Sequence, residues 1–560
     1  MVHTTKPIPA ATTSARSRLR NPQLNRIAQA FGSCRRNTAA EAGKMRVTVY
    51  AALLSVVCAA PLPAVAASRL ATHLDAIAAR PAYAHTQFGL AVYDLRTRSM
   101  LYARNAGRFF VAASTTKLLT EGTTLATLGP GYRFRTIVYR TGPLDAAGIL
   151  HGDLVLVASG DPNLSGRLRP DGTLAFENED HSYDGSPDTK AVPGDPLAAL
   201  RDLAAQIAAR GVKQITGNVV VDDSLYPAGT PESGTGVVIS PIMVNDNIVD
   251  LTVTPAARPG DPVVVSVSPQ TPYATFVNKA TTGAKGTRRT IIVPDGEAAP
   301  DGSRTVTITG SIPVDSQPIL YAYDVPSPRR FAEFAFAQTL AAAGVSVAKS
   351  STELAMNHDA LKPFYTDSNA IATHISPPLS EEVKVTLKVS DNLHAATMPY
   401  LWAPTHDLQK GFGVERSFLQ RGGLDTSAAV QNGGLGGDAF FTPSFMVAYL
   451  AYVRAQPFFP VLYASLPVLG VGTLFNIQNG SPAAGKVHAK TGTWGTGDLL
   501  NDRSMISGKG LAGYMTTASG REIAFCFYLN NLAGPPDETA PRAAGQILGE
   551  LATATYLYAK

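Results

Sequence analysis

The sequence predicts an α+β protein in which β-rich material is inserted between two α/β ends. Three observations predict this. A hairpin pattern followed by a helical one occupies residues 86–128. Short Val/Thr/Ile runs separated by Gly and Pro fill residues 213–323, an antiparallel β signature. Two strand patterns and a helical one close the chain at 509–518, 521–530 and 541–558.

The first element in order is a leader. Residues 1–44 carry eight basic residues and one acid, Glu41. Lys44-Met45-Arg46 then precedes the apolar run VTVYAALLSVVCAA and a small-residue site, Ala64-Val65-Ala66. Charged region, short apolar core and cleavage site together make a secretory signal peptide within residues 1–66. The run is too short to span a bilayer, and Pro61 and Pro63 interrupt the chain just beyond it. Val57 stands where a lipoprotein would need a small residue before Cys58. Translation is expected to start at Met45; a genuine long leader is the alternative. No later stretch reaches 18 apolar residues, so the exported chain is expected to be soluble.

Residues 86–95 and 99–103 read as strands around the polar turn Arg96-Thr97-Arg98. Residues 114–128 read as a helix starting at Ser114, with Leu118, Leu125 and Leu128 on one face and Gly129-Pro130 stopping it. Residues 148–158 are strand-like, and a Gly/Pro/Asp-rich irregular stretch runs to about 195. Residues 196–210 form an amphipathic helix with Leu197, Leu200, Leu203 and Ile207 inward. Phe331–Ala343 is another helix, closed by Gly344, and helical patterns dominate from 377 to about 465. The expected organisation is a leader (1–66), one domain from 67–135 with 365–560, and inserted β-rich material at 136–364.

Composition excludes several classes. Hydrophobic residues make up 45% and charged residues 16%, against a usual charged share of about 25%, so a coiled coil or polyelectrolyte binder does not fit. The formal charge of +5 belongs to the leader; residues 67–560 hold 39 basic and 42 acidic residues, a formal −3. Only Cys526 remains outside the leader, so no intramolecular disulfide is expected there. The ten histidines show no HExxH and the cysteines no zinc spacing, so no metal is expected. There is no GxSxG elbow. Gly480–Lys486 imitates a phosphate loop, but Val487 replaces the magnesium-binding hydroxyl, leaving a turn before a strand. No basic, aromatic-interleaved stripe for nucleic acid is present outside the leader.

Three short motifs carry chemistry. Ser114-Thr-Thr-Lys117 is an SxxK at a helix start, where positions i and i+3 share a face and the amine can lie beside the hydroxyl. A serine is a weak nucleophile until a base takes its proton, and a lysine desolvated among other cations can act as that base. The repeat of this pattern at Ser346–Lys349 lies in a strand-like context and is read as accidental. Ser390-Asp391-Asn392 offers a proton relay and an amide-binding side chain; alone it reads as a turn or helix cap. Lys490-Thr491-Gly492-Thr493 enters from a β-like run, where Lys and Thr side chains can bind a carboxylate; alone it reads as an exposed edge strand.

In the order SxxK, SxN, KTG the three are far more specific than any one. The sequence resembles the D-alanyl-D-alanine carboxypeptidase/endopeptidase family, the class C low-molecular-mass penicillin-binding proteins. The likeness extends over about residues 80–555, including VYDLRTRSMLYARN, LHGDLVLVASGDPNL, ITGNVVVDDSLYP, VNDNIVDLTVTP and LAGYMTTASGREIAFCFYLNN. It implies a β-lactamase/transpeptidase-like domain, an antiparallel sheet flanked by helices, with large inserted domains. The 276 residues from Ser114 to Ser390, a far longer interval than in compact β-lactamases, favour the peptidase within that superfamily.

The resemblance implies roles residue by residue. Ser114 is the acylated nucleophile, Lys117 the general base, Ser390 a proton shuttle and Asn392 the holder of the peptide amide. Lys490, Thr491 and Thr493, with Gly492 in the same strand, bind the terminal carboxylate, and the N–H groups of Ser114 and Thr493 form the oxyanion hole. Trp494 walls the pocket or packs on the sheet. No cofactor is implied. The partners are peptidoglycan stem peptides and acylating β-lactams, and the location is periplasmic or extracellular. Two departures stand out. His394-Ala395-Ala396 replaces the Ala-Glu pair common after SDNL, and Gln431–Gly437 lacks the acid, serine and arginine that many members carry. Residues 495–508 read as an extra loop near the site. The alternatives are a β-lactamase-like or esterase hydrolase, and a catalytically weak cell-wall-binding protein.

Overall fold

A computed structural model describes residues 68–348, 357–474, 476–534 and 539–560. The leader with its signal-peptide features, Cys34, Cys58 and Lys349 lie outside the described residues. Helix α1 (Arg69–Ala78) is capped by Ser68, whose hydroxyl accepts from the Ala71 N–H at 3.2 Å. Strands β1 (Gln87–Asp94) and β2 (Ser99–Arg104) form the predicted hairpin. The helix predicted from Ser114 begins differently: Ala113–Thr116 is a 3-10 turn, and α2 spans Lys117–Leu128. Gly129 ends it at φ 84°, a conformation that costs a residue with a Cβ.

The middle of the chain supplies β3 (Arg135–Arg140), β4 (Leu154–Val157), α3 (Ala198–Ala209), β5 (Val219–Asp222), β6 (Ile248–Thr254), β7 (Val264–Ser268), β8 (Ala274–Asn278), β9 (Arg304–Ile308), β10 (Ile319–Asp324) and α4 (Pro328–Ala342). Next come β11 (Ala370–Ile375), α5 (Leu379–Val389), α6 (Asn392–Leu401) and α7 (Pro443–Arg454). The chain closes with β12 (Val487–Asp498), β13 (Arg503–Thr516), β14 (Glu522–Asn530) and α8 (Thr539–Tyr558).

The main sheet joins both ends of the chain in the order β2-β1-β14-β13-β12, antiparallel throughout. Its two-residue period sorts the core. Phe525, Phe527 and Leu529 of β14, with Leu90 and Val92 of β1, meet Leu70 and Leu74 of α1 and Leu548 and Leu551 of α8. Ala524, Cys526 and Tyr528 face the other way, toward Leu118 and Leu125 of α2 and Met446 and Leu450 of α7. Each fully buried Leu or Phe here contributes roughly 1.5–3 kcal/mol. A second sheet, ordered β11-β3-β4-β5, packs Val138, Leu156 and Val221 against Leu203 of α3 and Phe336 of α4.

Two further expectations are corrected. The 213–323 region is not simply antiparallel: β5 runs parallel to β4, and β9 parallel to β8, while β7-β6-β10 is antiparallel. Residues 495–508 are not a loop either. They prolong β12 and β13 as a hairpin whose tip exposes Leu499 and Leu500. A register shift between Trp494 and Gly495 lets the ladder continue through the glycines.

Candidate active site

Ser114 lies on the 3-10 turn that leads into α2. Ala113 before it holds φ 45°, a left-handed conformation costing a non-glycine residue about 1–2 kcal/mol. The surroundings fix it: the Ala112 N–H donates to the Ala439 carbonyl at 2.9 Å, and the Thr115 hydroxyl donates back to the Ala112 carbonyl at 2.7 Å. Lys117, one turn on, is fully buried. Its Nζ donates to Ser114 Oγ at 2.9 Å and to Asn392 Oδ1 at 2.6 Å, with Ser390 Oγ at 3.4 Å. All three acceptors are neutral. Burial pushes the Lys117 ammonium down to about 8, against the opposing pull of Glu232 and Asp391.

Ser390 and Asn392 come from the junction of α5 and α6. Ser390 ends α5 in the left-handed conformation (φ 65°, ψ 37°), and Asp391 caps α6 by accepting from the His394 N–H at 2.9 Å. The tight turn aims Ser390 and Asn392 at Lys117 while Asp391 points away from it. Lys490 of β12 donates from Nζ to Ser390 Oγ and to the Thr491 carbonyl, at 2.9 and 2.8 Å. Ser390 therefore sits between two lysines. Burial, with Lys117 and Lys509 nearby, pushes Lys490 well below the ordinary lysine range.

Gly492 has a steric reason. A Cβ there would lie 2.7 Å from the Ala112 carbonyl oxygen and 2.8 Å from the Ser114 nitrogen. Only glycine lets β12 lie directly against the turn carrying the nucleophile. Thr493, one residue on, accepts through Oγ1 from Lys509 Nζ at 2.5 Å. At the rim, a Cβ on Gly437 would stand 2.4 Å from Ser233 Oγ and 3.2 Å from the Trp494 ring, so these three residues abut. Gly234 passes equally close to the Asn392 amide. Residues 232–236, Gly436, Gly437 and Trp494 thus stand at the rim of the site.

The model of the D-Ala-D-Ala carboxypeptidase 3 (S13) family matches residues 70–552. The chain belongs to this family. It is therefore a serine-type D-Ala-D-Ala carboxypeptidase. It is 30% identical over 515 residues to a D-alanyl-D-alanine carboxypeptidase of Actinomadura sp., covering 87% of this chain and 85% of that protein. It is 22% identical over 474 residues to the D-alanyl-D-alanine carboxypeptidase DacB of Haemophilus influenzae, covering 79% of this chain and 85% of that protein. The crystal structure of penicillin binding protein 4 from H. influenzae shares the fold, with a TM-score of 0.65 at 19% identity over 86% of this chain and 98% of that one.

Behind the S13 motifs lies a second buried cluster. Arg167 pairs with Asp180, Asp246 and Asp391. His181 contacts Asp246 and Asp250 at 2.7 and 2.9 Å, and His394 contacts Asp246 and Glu382 at 3.0 and 2.7 Å. Asp246 is presented by Asn245-Asp246-Asn247, three successive left-handed residues at φ 48°, 53° and 55°. Burial alone would raise Asp246, but Arg167 and His394 hold it well below the carboxylate range. Burial and Asp180 push Asp391 well above that range. His394 is raised well above 6.5 despite burial, because Asp391, Glu382 and Asp246 face it. Asp180, His181 and Asp246, and likewise Asp246, Asp391 and His394, are spaced as cation ligands would be, but the Arg167 guanidinium already supplies the positive charge among them.

The structure brings Ser114, Lys117, Ser390, Asn392 and Lys490 together, and sets Thr491, Gly492, Thr493 and Trp494 along one strand beside them. Sequence reasoning missed Lys509, the 232–236 rim, Tyr183, whose hydroxyl donates to the Ser390 carbonyl at 2.9 Å, and the Arg167 cluster. A lysine opening the strand pattern at 509–518 was the available signal for Lys509.

Proposed function

We propose that Ser114 forms an acyl-enzyme with the penultimate D-alanine of peptidoglycan stem peptides. Lys117 takes the Ser114 proton as Oγ attacks the carbonyl carbon. The N–H groups of Ser114 and Thr493 hold the resulting oxyanion. Ser390 relays the proton to the leaving D-alanine nitrogen, and the peptide C–N bond breaks. Asn392 holds the substrate amide, and Lys490, Thr491 and Thr493 hold the terminal carboxylate. Lys117 then takes a proton from water as the water oxygen attacks the ester carbon, the bond from that carbon to Ser114 Oγ breaks, and the proton passes to Oγ, restoring the Ser114 hydroxyl and the neutral amine. D,D-crosslinks are cut by the same steps, and β-lactams acylate Ser114. The enzyme acts outside the cytoplasm, after export directed by the leader. Among the described residues no helix is long and apolar enough to cross a membrane.

The observation that carries this reading is the Lys117–Ser114 contact at 2.9 Å, with Lys117 buried among neutral acceptors. A base in that state has a lowered proton affinity and faces the nucleophile directly. The test is mass spectrometry of wild type and Ser114→Ala after benzylpenicillin, together with D-alanine release from a D-Ala-D-Ala peptide. A stable adduct on wild type, absent from Ser114→Ala, with D-alanine released, is expected. An unmodified Ser114 overturns the reading. Rapid penicillin turnover would point to a β-lactamase, and an adduct without peptide cleavage to a binding protein.

A further inference from the structure

Lys509 stands in β13 directly opposite Thr493 in the antiparallel register. Cross-strand partners project to the same face, and here that face is packed under α8: a Cβ on Gly545 would lie 3.8 Å from Lys509 Cε. Leu511, two residues along β13, belongs to the same apolar layer. Lys509 is 8% exposed, and its Nζ bonds to Thr493 Oγ1. Among the described residues no carboxylate pairs with it. A cation under an apolar layer with a single neutral partner is costly, and its retention needs a compensating interaction.

We propose that Lys509 is a positioning residue for the substrate carboxylate, acting through Thr493. An ammonium only donates, so Thr493 Oγ1 is fixed as its acceptor. The one hydroxyl hydrogen of Thr493 is then free to point away from Lys509, toward the cleft side of the edge strand. The Lys509 charge polarises that O–H, making it a stronger donor to an anion. Lys509 lies on the other face of the sheet from Lys490, close enough that it and Lys117 both push Lys490 down. An incoming terminal carboxylate relieves that repulsion; a neutral ligand does not. The selected substrate class is an acyl-D-alanyl peptide with a free C-terminal carboxylate. This inference rests on the acyl-enzyme reading above.

The test compares wild type, Lys509→Met and Lys509→Arg on two acyl donors: a D-Ala-D-Ala peptide with its free carboxylate, and a neutral activated ester of an N-acyl-D-alanine. Lys509→Met is expected to lower kcat/KM for the peptide about 10–100-fold, the weight of a charge-assisted hydrogen bond, while the ester stays within about twofold. Lys509→Arg should recover part of the loss. Thr493→Val should cost little more in the Lys509→Met background than in that background alone, since the two act in series. Equal losses on both donors, or no loss on the peptide, would overturn the proposal; turnover of the ester reports that the variant is folded. A wild type that takes the ester but never cleaves the peptide would instead contradict the D,D-peptidase reading, and the Lys509 proposal with it.

Discussion

The Ser390–Asn392 turn divides two buried charged clusters of opposite composition. On the cleft side, Lys117, Lys490 and Lys509 meet only hydroxyls, an amide and a carbonyl. On the far side, the three basic groups of Arg167, His181 and His394 pair with the acids Asp180, Asp246, Asp250, Asp391 and Glu382. Three consecutive side chains serve both: Ser390 and Asn392 reach the lysines, Asp391 reaches Arg167. The contrast assigns each cluster its role. The ion-paired cluster fixes the left-handed turns at Ser390 and Asn245–Asn247, whose strain persists only where surroundings over-determine it. The cluster of lysines on neutral acceptors favours proton loss and attracts an anion.

The clearest way to separate the two is to remove one cation from each. Lys117→Met should slow Ser114 acylation about 10²–10⁴-fold, the usual weight of a general base, yet leave the melting temperature unchanged or higher. A marked loss of stability would contradict the view that burial outweighs the pull of nearby carboxylates on this lysine. Arg167→Met should do the reverse. It strands three buried carboxylates, and chemical denaturation should register a loss of about 3–5 kcal/mol. A loss under about 1 kcal/mol would show that the far cluster does not anchor the turn.

The clusters should also titrate with opposite signs. Lys117 and Lys509 are pushed to about 8 in the folded chain, from 10.5 when unfolded. Between those values the unfolded chain holds more protons, so stability rises with pH. His181 and His394 are raised above 6.5, so their contribution is complete below 6.5 and is lost as pH rises through the raised values. Denaturation curves of wild type and Lys117→Met above pH 8 should differ in slope, with the variant shallower. The smallest effect belongs to the hairpin tip. Leu499→Ser and Leu500→Ser remove side chains that are 98% and 91% exposed, so stability should stay within about 0.5 kcal/mol and peptide turnover should not change.

Much of this is legible in sequence, for local reasons. Ser114–Lys117, Ser390–Asn392 and Lys490–Thr493 are contiguous motifs whose spacing states their geometry. The β1–β2 hairpin shows as two strand-like runs around a polar turn, α2 as a helical pattern stopped by Gly129-Pro130, and β14 as a short continuous apolar run. The far cluster joins residues from 167 to 394, and no local pattern announces it; the one trace is Asn245-Asp246-Asn247, residue types that tolerate left-handed backbone. Lys509 meets Thr493 only through hairpin register, sixteen residues along the chain. The extended hairpin reads as a loop because Gly495, Gly497 and Gly508 are turn residues in isolation, whereas the ladder accommodates them. The parallel pairs β4–β5 and β8–β9 depend on chain crossing, which strand composition does not encode.

On this reading a buried Lys117, bonded only to neutral acceptors, loses its proton readily enough to activate Ser114. The most direct measurement is the second-order rate of Ser114 acylation by benzylpenicillin as a function of pH. The rate should climb with pH and level off above a midpoint near 8, where burial places the Lys117 ammonium. A rate that is flat from pH 6 to 10, or that rises only near the ordinary lysine value of 10.5, would contradict it.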